Sequence, residues 1–150
     1  MKKETKKQLL IGAALVLELL FLLLYLNGRI DKLLDSDMSS EMVLGQLLAR
    51  NNGILSDQWY YSTELRVLNT QLIYALFFRL SSNWHFVRMA STLVLWCVLI
   101  ASYGVLCRVM GCKKSFGVTA LLLAAPVSES YFRFVLAGVY YVPHLAIAFA

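Results

Sequence analysis

RMASTLVLWCVLIASYGVLCR, residues 88–108, decides the fold: an apolar run without a single charge, closed by Arg88 on one side and Arg108 on the other. A helix crossing a hydrocarbon core of ~30 Å needs about 20 residues at 1.5 Å each. This run has that length and the flanks of a span. Working outward, a second such run lies at residues 8–26, broken only by Glu18. A third begins at Ser115 and extends to 134, and a fourth occupies 135–150.

Composition agrees. Of 150 residues, 59% are hydrophobic and 15% charged, with a mean hydropathy of +0.65, far more apolar than an average soluble domain. The reading is an all-α, multi-pass helical membrane protein, a single integral membrane region with spans at about 8–26, 89–107, 115–134 and 135–150. The last run would rise only about 24 Å as a helix, so the chain is expected to be the front part of a longer protein.

The net charge of +5 sits at the ends of spans and forms no soluble basic face, which argues for membrane topology and against a nucleic-acid partner. Lys2, Lys3, Lys6 and Lys7 precede the first span, and Arg108, Lys113 and Lys114 follow the second. By the positive-inside rule both segments are cytoplasmic, in a cell membrane, with residues 27–86 forming an outer loop. That loop carries five basic and six acidic residues. The first run exceeds a signal-peptide core and lacks a small-residue cleavage pattern, so it reads as an uncleaved anchor. Three cysteines, Cys97, Cys107 and Cys112, imply no disulfide framework.

Within the loop, Met42, Val43, Leu47 and Leu48 predict a helix that stops at Asn52 and Gly53. A second helix is predicted over 63–80, too short in its uncharged part to span, lying along the outer interface or packed on the spans.

Candidate chemistry rests on polar groups in costly places. Glu18, mid-span, reads first as a group facing other spans. His144 follows Pro143 and reads as a kink-associated histidine. Glu129 falls ~21 Å along a ~30 Å core when counted from Ser115, but Pro126 intervenes and predicts a kink or unwinding at that depth. Glu129 and Arg133, four apart, either pair with each other on one helix face or form a site in which Arg133 holds an anionic head group and Glu129 a metal or hydroxyl. Asp57 stands beside Trp59, Tyr60 and Tyr61, a carboxylate among aromatics that suits sugar handling and equally suits an interfacial belt.

The order of features from residue 54 to 128 resembles the N-terminal part of GT-C membrane glycosyltransferases, the relatives of protein O-mannosyltransferases and lipid A aminoarabinose transferases. NTQLIYALFFRLSSNWHFVRM looks like the family's interfacial helix and the arginine before its second span; GCKKSFGVTALLLAAPVS looks like its cytoplasmic turn and third span. NTQ stands where many relatives have a Pro-Pro pair, which marks a divergent branch. The resemblance implies transfer of a sugar from a polyprenyl-phosphate donor to an acceptor at the outer face of the cell envelope. It implies Asp57 as catalytic base and a cation for the donor phosphate, for which Arg133 is the candidate. Glu129, Trp59, Tyr60 and Tyr61 become substrate or metal contacts, and a divalent metal is allowed. The alternative is a non-enzymatic membrane protein, such as a transporter subunit or assembly factor.

Overall fold

The computed structural model describes residues 2–61 and 69–150. Among them every regular element is helical: α1 (Lys2–Asn27), α2 (Ser36–Asn51), α3 (Thr70–Phe78), α4 (Trp84–Val109), α5 (Phe116–Ala124), α6 (Glu129–Tyr131) and α7 (Val142–Phe149). A π-helical segment, Phe132–Ala137, continues α6. Among the described residues two helices are long and apolar enough to cross a membrane, Thr5–Asn27 at a mean hydropathy of 2.7 and Trp84–Val109 at 2.0. They contain the first two predicted runs.

Local chemistry sets the ends. Asn83 Oδ1 accepts the Phe86 N–H at 3.1 Å and starts α4. Gly111 adopts φ +71° after α4, and the Cys112 N–H reaches back to the Cys107 carbonyl at 2.9 Å, a Schellman closure for which glycine costs least. Asp35 caps α2 through the Met38 N–H at 2.9 Å. At its other end Asn52 turns left-handed (φ 49°), the predicted stop. The helix predicted over 63–80 is seen as α3, and its first part, 63–68, lies outside the described residues.

Helices α2 and α3 form a tight pair on the side of α4. A Cβ on Gly45 would lie 2.7 Å from the Tyr74 Cβ and 3.0 Å from the Gln71 carbonyl, so only glycine permits this approach. Buried Met42, Tyr74 and Val87 join α2, α3 and α4, while Leu44, Leu48 and Ala75 form a neighbouring cluster. A larger core, including Leu22, Leu26, Leu95, Trp96, Leu99 and Val142, ties α1 and α4 to the C-terminal elements.

The third run is not straight. α5 ends at Ala124, one residue before the position that Pro126 disfavours for helix, and the next helical piece, Glu129–Ala137, is bent from it by 87°. The break strands carbonyls of the last α5 turn, and the Tyr131 hydroxyl donates to that of Leu123 at 2.5 Å. Ser128 Oγ accepts the Tyr131 N–H at 3.1 Å and restarts the helix.

The run at 135–150 also changes course. After the π-helical segment, Val139 stands at φ +51°, a costly conformation for a β-branched residue, held by complete burial. Its neighbourhood is fixed from outside: Trp96 Nε1 donates to the Leu136 carbonyl at 2.9 Å. Pro143 then falls in the first turn of α7, where a missing N–H costs nothing. The eight residues of α7 rise about 12 Å.

Candidate functional site

The bend at Pro126 creates an open cleft of about 360 Å³, lined by Tyr25, Lys32, Asp35, Glu129, Phe132 and Arg133. Three segments meet there: the last turns of α1, the link before α2, and the start of α6. Tyr25 and Phe132 pack edge to face at 5.8 Å and fix one wall. The Arg29 guanidinium covers the Tyr25 ring at 4.4 Å and donates to its hydroxyl.

Glu129 and Arg133 therefore line one cleft, and they do not form an ion pair with each other. Both are exposed, and no salt bridge or hydrogen bond joins either side chain to another described group. Lys32 is a second exposed cation in the lining, and sequence reasoning did not single it out. Asp35 is the second carboxylate, already engaged as the α2 cap. The cleft thus offers two cations and one uncommitted carboxylate beside aromatic rings.

Asp57 is elsewhere. It is exposed on the turn after α2 and does not line the cleft. Ser56 anchors that turn, its Oγ accepting from Asn51 Nδ2 at 3.3 Å and from the Gln58 N–H at 3.2 Å. The 16 residues of α2 put about 24 Å between its Asp35 end, at the cleft, and its Asn51 end, at this turn. The aromatics divide as well. Trp59 and Tyr61 pack on the Leu44, Leu48 and Ala75 cluster, with the Tyr61 hydroxyl accepting the Ser56 N–H at 3.0 Å, whereas Tyr60 is 92% exposed.

Two buried charges escaped sequence reasoning. Glu41 is 6% exposed and accepts from Asn69 Nδ2 at 3.2 Å, Thr70 Oγ1 at 3.1 Å and the Gln71 N–H at 3.3 Å. Arg88, 2% exposed, donates to the carbonyl of Ile30 and to that of Leu33 at 3.4 Å. Tyr74, fully buried beside them, has its pKa pushed up to about 12, chiefly by loss of solvent. NTQ, the departure from the Pro-Pro pattern, is thus the segment that satisfies a buried carboxylate. Its three polar residues in an apolar helix were the available signal.

Glu18 is half-buried on α1, and His144 is exposed, its ring 6.4 Å from that of Tyr141. Sequence reasoning also passed over His85, whose Nδ1 lies 2.9 Å from Asp31 Oδ2 and whose Nε2 lies 3.1 Å from Asn27 Oδ1, tying the start of α4 to the end of α1. Among the described residues no three His, Cys, Asp or Glu side chains gather where a metal could be held. The cleft itself holds two carboxylates, Glu129 and Asp35, of which Asp35 is engaged as the α2 cap. Compared with known proteins, the chain matches no family model, no curated protein and no solved structure.

Proposed function

We propose that this chain is the front part of a membrane glycosyltransferase of the GT-C type, and that the cleft binds the phosphate of a polyprenyl-phosphate sugar donor at the outer face of a cell membrane. One observation carries the reading: Lys32 and Arg133, two cations without a partner among the described residues, line the same cleft at the end of an apolar helix. A phosphate arriving on a lipid tail meets its counter-charge there while its chain stays along α1.

In the reaction the acceptor hydroxyl attacks the anomeric carbon and the bond from that carbon to the phosphate oxygen breaks. The electron pair leaves with the lipid phosphate, which Arg133 and Lys32 neutralise, and the hydroxyl proton passes to a carboxylate. The resemblance assigns that proton to Asp57. The cleft itself supplies Glu129. A base must stand within hydrogen-bond reach of the proton it takes, so the two assignments are exclusive in this conformation.

The test is release of polyprenyl phosphate from its glycosylated form by membranes containing the protein, in parallel with binding of polyprenyl phosphate alone. Arg133→Gln is expected to weaken that binding about tenfold or more, the size of one charge-assisted contact. Glu129→Gln is expected to abolish turnover and leave binding intact, while Asp57→Asn decides whether the turn after α2 reaches the substrate. Undiminished binding by Arg133→Gln would sink the proposal. One observation favours a non-enzymatic transporter subunit or assembly factor instead: the distance of Asp57 from the cleft. Binding with no turnover in any condition supports that second reading.

A further inference from the structure

A second cavity, of about 290 Å³, lies at the opposite end of α4, where the chain turns into α5. Arg108 and Lys113 line it, over a floor that includes Gly104, Val105, Cys107 and Phe116. Neither cation has an ion-pair or hydrogen-bond partner among the described residues. The sequence gives them none nearby, since no acidic residue occurs between Glu64 and Glu129.

The Schellman closure at Gly111 holds the two cations on one rim, because it folds Lys113 back toward the last turn of α4. The start of α5 opens on the same cavity through Phe116. Ser115 does not cap it with its side chain, so the first N–H groups of α5 keep their capacity for an anion. Ile11 of α1 packs against Gly117 of α5, and Lys6 and Lys7 precede it on α1 by one to two turns.

Cations at a rim, an apolar floor and a helix able to cross a membrane are complementary to one class of ligand, and we infer that this cavity binds the head group of an anionic phospholipid. The phosphate sits between Arg108, Lys113 and the start of α5, and the acyl chains run along the exposed apolar surface of Val105 and Val109. A neutral lipid phosphate, whose charge is offset by its own choline, lacks the net attraction. The site is independent of the donor cleft, which lies at the other end of α4.

Native mass spectrometry of the delipidated 150-residue chain, offered phosphatidylglycerol or phosphatidylcholine in detergent, tests this directly. Retention of phosphatidylglycerol over phosphatidylcholine is expected, with inorganic phosphate failing to displace it. The double variant Arg108→Gln, Lys113→Gln is expected to bind phosphatidylglycerol roughly thirtyfold more weakly, about fivefold for each cation. The exchange Arg108→Lys, Lys113→Arg should restore binding, and Arg79→Gln, away from this cavity, should not change it. Equal retention of the two lipids, an unaltered double variant, or displacement by inorganic phosphate overturns the assignment. Should the double variant fail to fold, the salt dependence of the unsubstituted chain decides, since insensitivity to salt overturns it equally.

Discussion

The α2–α3 pair and the bend at Pro126 treat charge in opposite ways. Between α2 and α3, Glu41 is buried and accepts three hydrogen bonds, and Arg88 is buried against backbone carbonyls. At the bend, Glu129 and Arg133 are exposed and have no partner among the described residues, though they stand four residues apart. A charge that the fold has enclosed and satisfied is part of the fold. One left open in a cleft is available to something else.

The sharpest way to break this contrast is Glu41→Ala, which leaves Asn69, Thr70 and the Gln71 N–H without their shared acceptor. Removing one member of a buried, hydrogen-bonded polar group costs about 3–5 kcal/mol, so thermal unfolding in detergent should drop severely or the protein should fail to accumulate. A loss below 1 kcal/mol, on the order of an ordinary surface change, would remove the distinction between the two regions.

Alkaline pH probes the same buried region. Tyr74 has a pKa raised from 10.0 to about 12 in the folded chain. Its contribution is therefore fully present below pH 10 and is lost as pH rises toward 12, because the unfolded phenol gives up its proton first. The loss is on the order of 3 kcal/mol for a two-unit shift. Tyr74→Phe is expected to lack this alkaline component in an unfolding titration. An identical pH profile for the variant would show that Tyr74 stays solvated.

Gly45→Val addresses packing rather than charge. Its Cβ would meet the backbone carbonyl of Gln71 and the Cβ of Tyr74, neither of which can swing aside, so a cost of about 2–3 kcal/mol is expected. Cysteine pairs engineered across α2 and α3 would report the separation of the two helices. Unchanged crosslinking and stability would mean that the approach at Gly45 is not tight.

Arg133→Gln gives the smallest expected change, within about 0.5 kcal/mol, as for an exposed residue without partners. The interest lies in its being small. A loss of 2 kcal/mol or more, on the scale of a buried hydrogen-bonded charge, would move Arg133 into the structural class with Arg88 and take away the basis for a phosphate site.

How much of this could be read from residues depends on how local each cause is. Runs of Leu, Val and Ile of span length determine α1 and α4, Asn52 determines where α2 stops, and Pro126 marks the break, because each acts within a turn of its own position. The fate of a charge is different. Arg88 reads as the flank of a span and turns out buried, since the Ile30 carbonyl that receives it comes from 58 residues away. Asp57 is the base that the resemblance implies, but a helix length separates its turn from the cleft that Glu129 and Arg133 line. Glu41 itself gives no sign, and the signal that NTQ offers names no partner until Asn69, 28 residues on, is folded against it.

By itself, then, the sequence determined the all-helical character of the described residues, two helices among them long and apolar enough to cross a membrane, the stop of α2 and the interruption at Pro126. Those follow from hydropathy summed along the chain and from backbone chemistry within a few residues. Only the tertiary structure decided the 87° bend, the left-handed turn at Val139, which charges are enclosed and which line a cleft. Burial and hydrogen bonding belong to pairs of groups, and the pairs that matter here are distant in sequence.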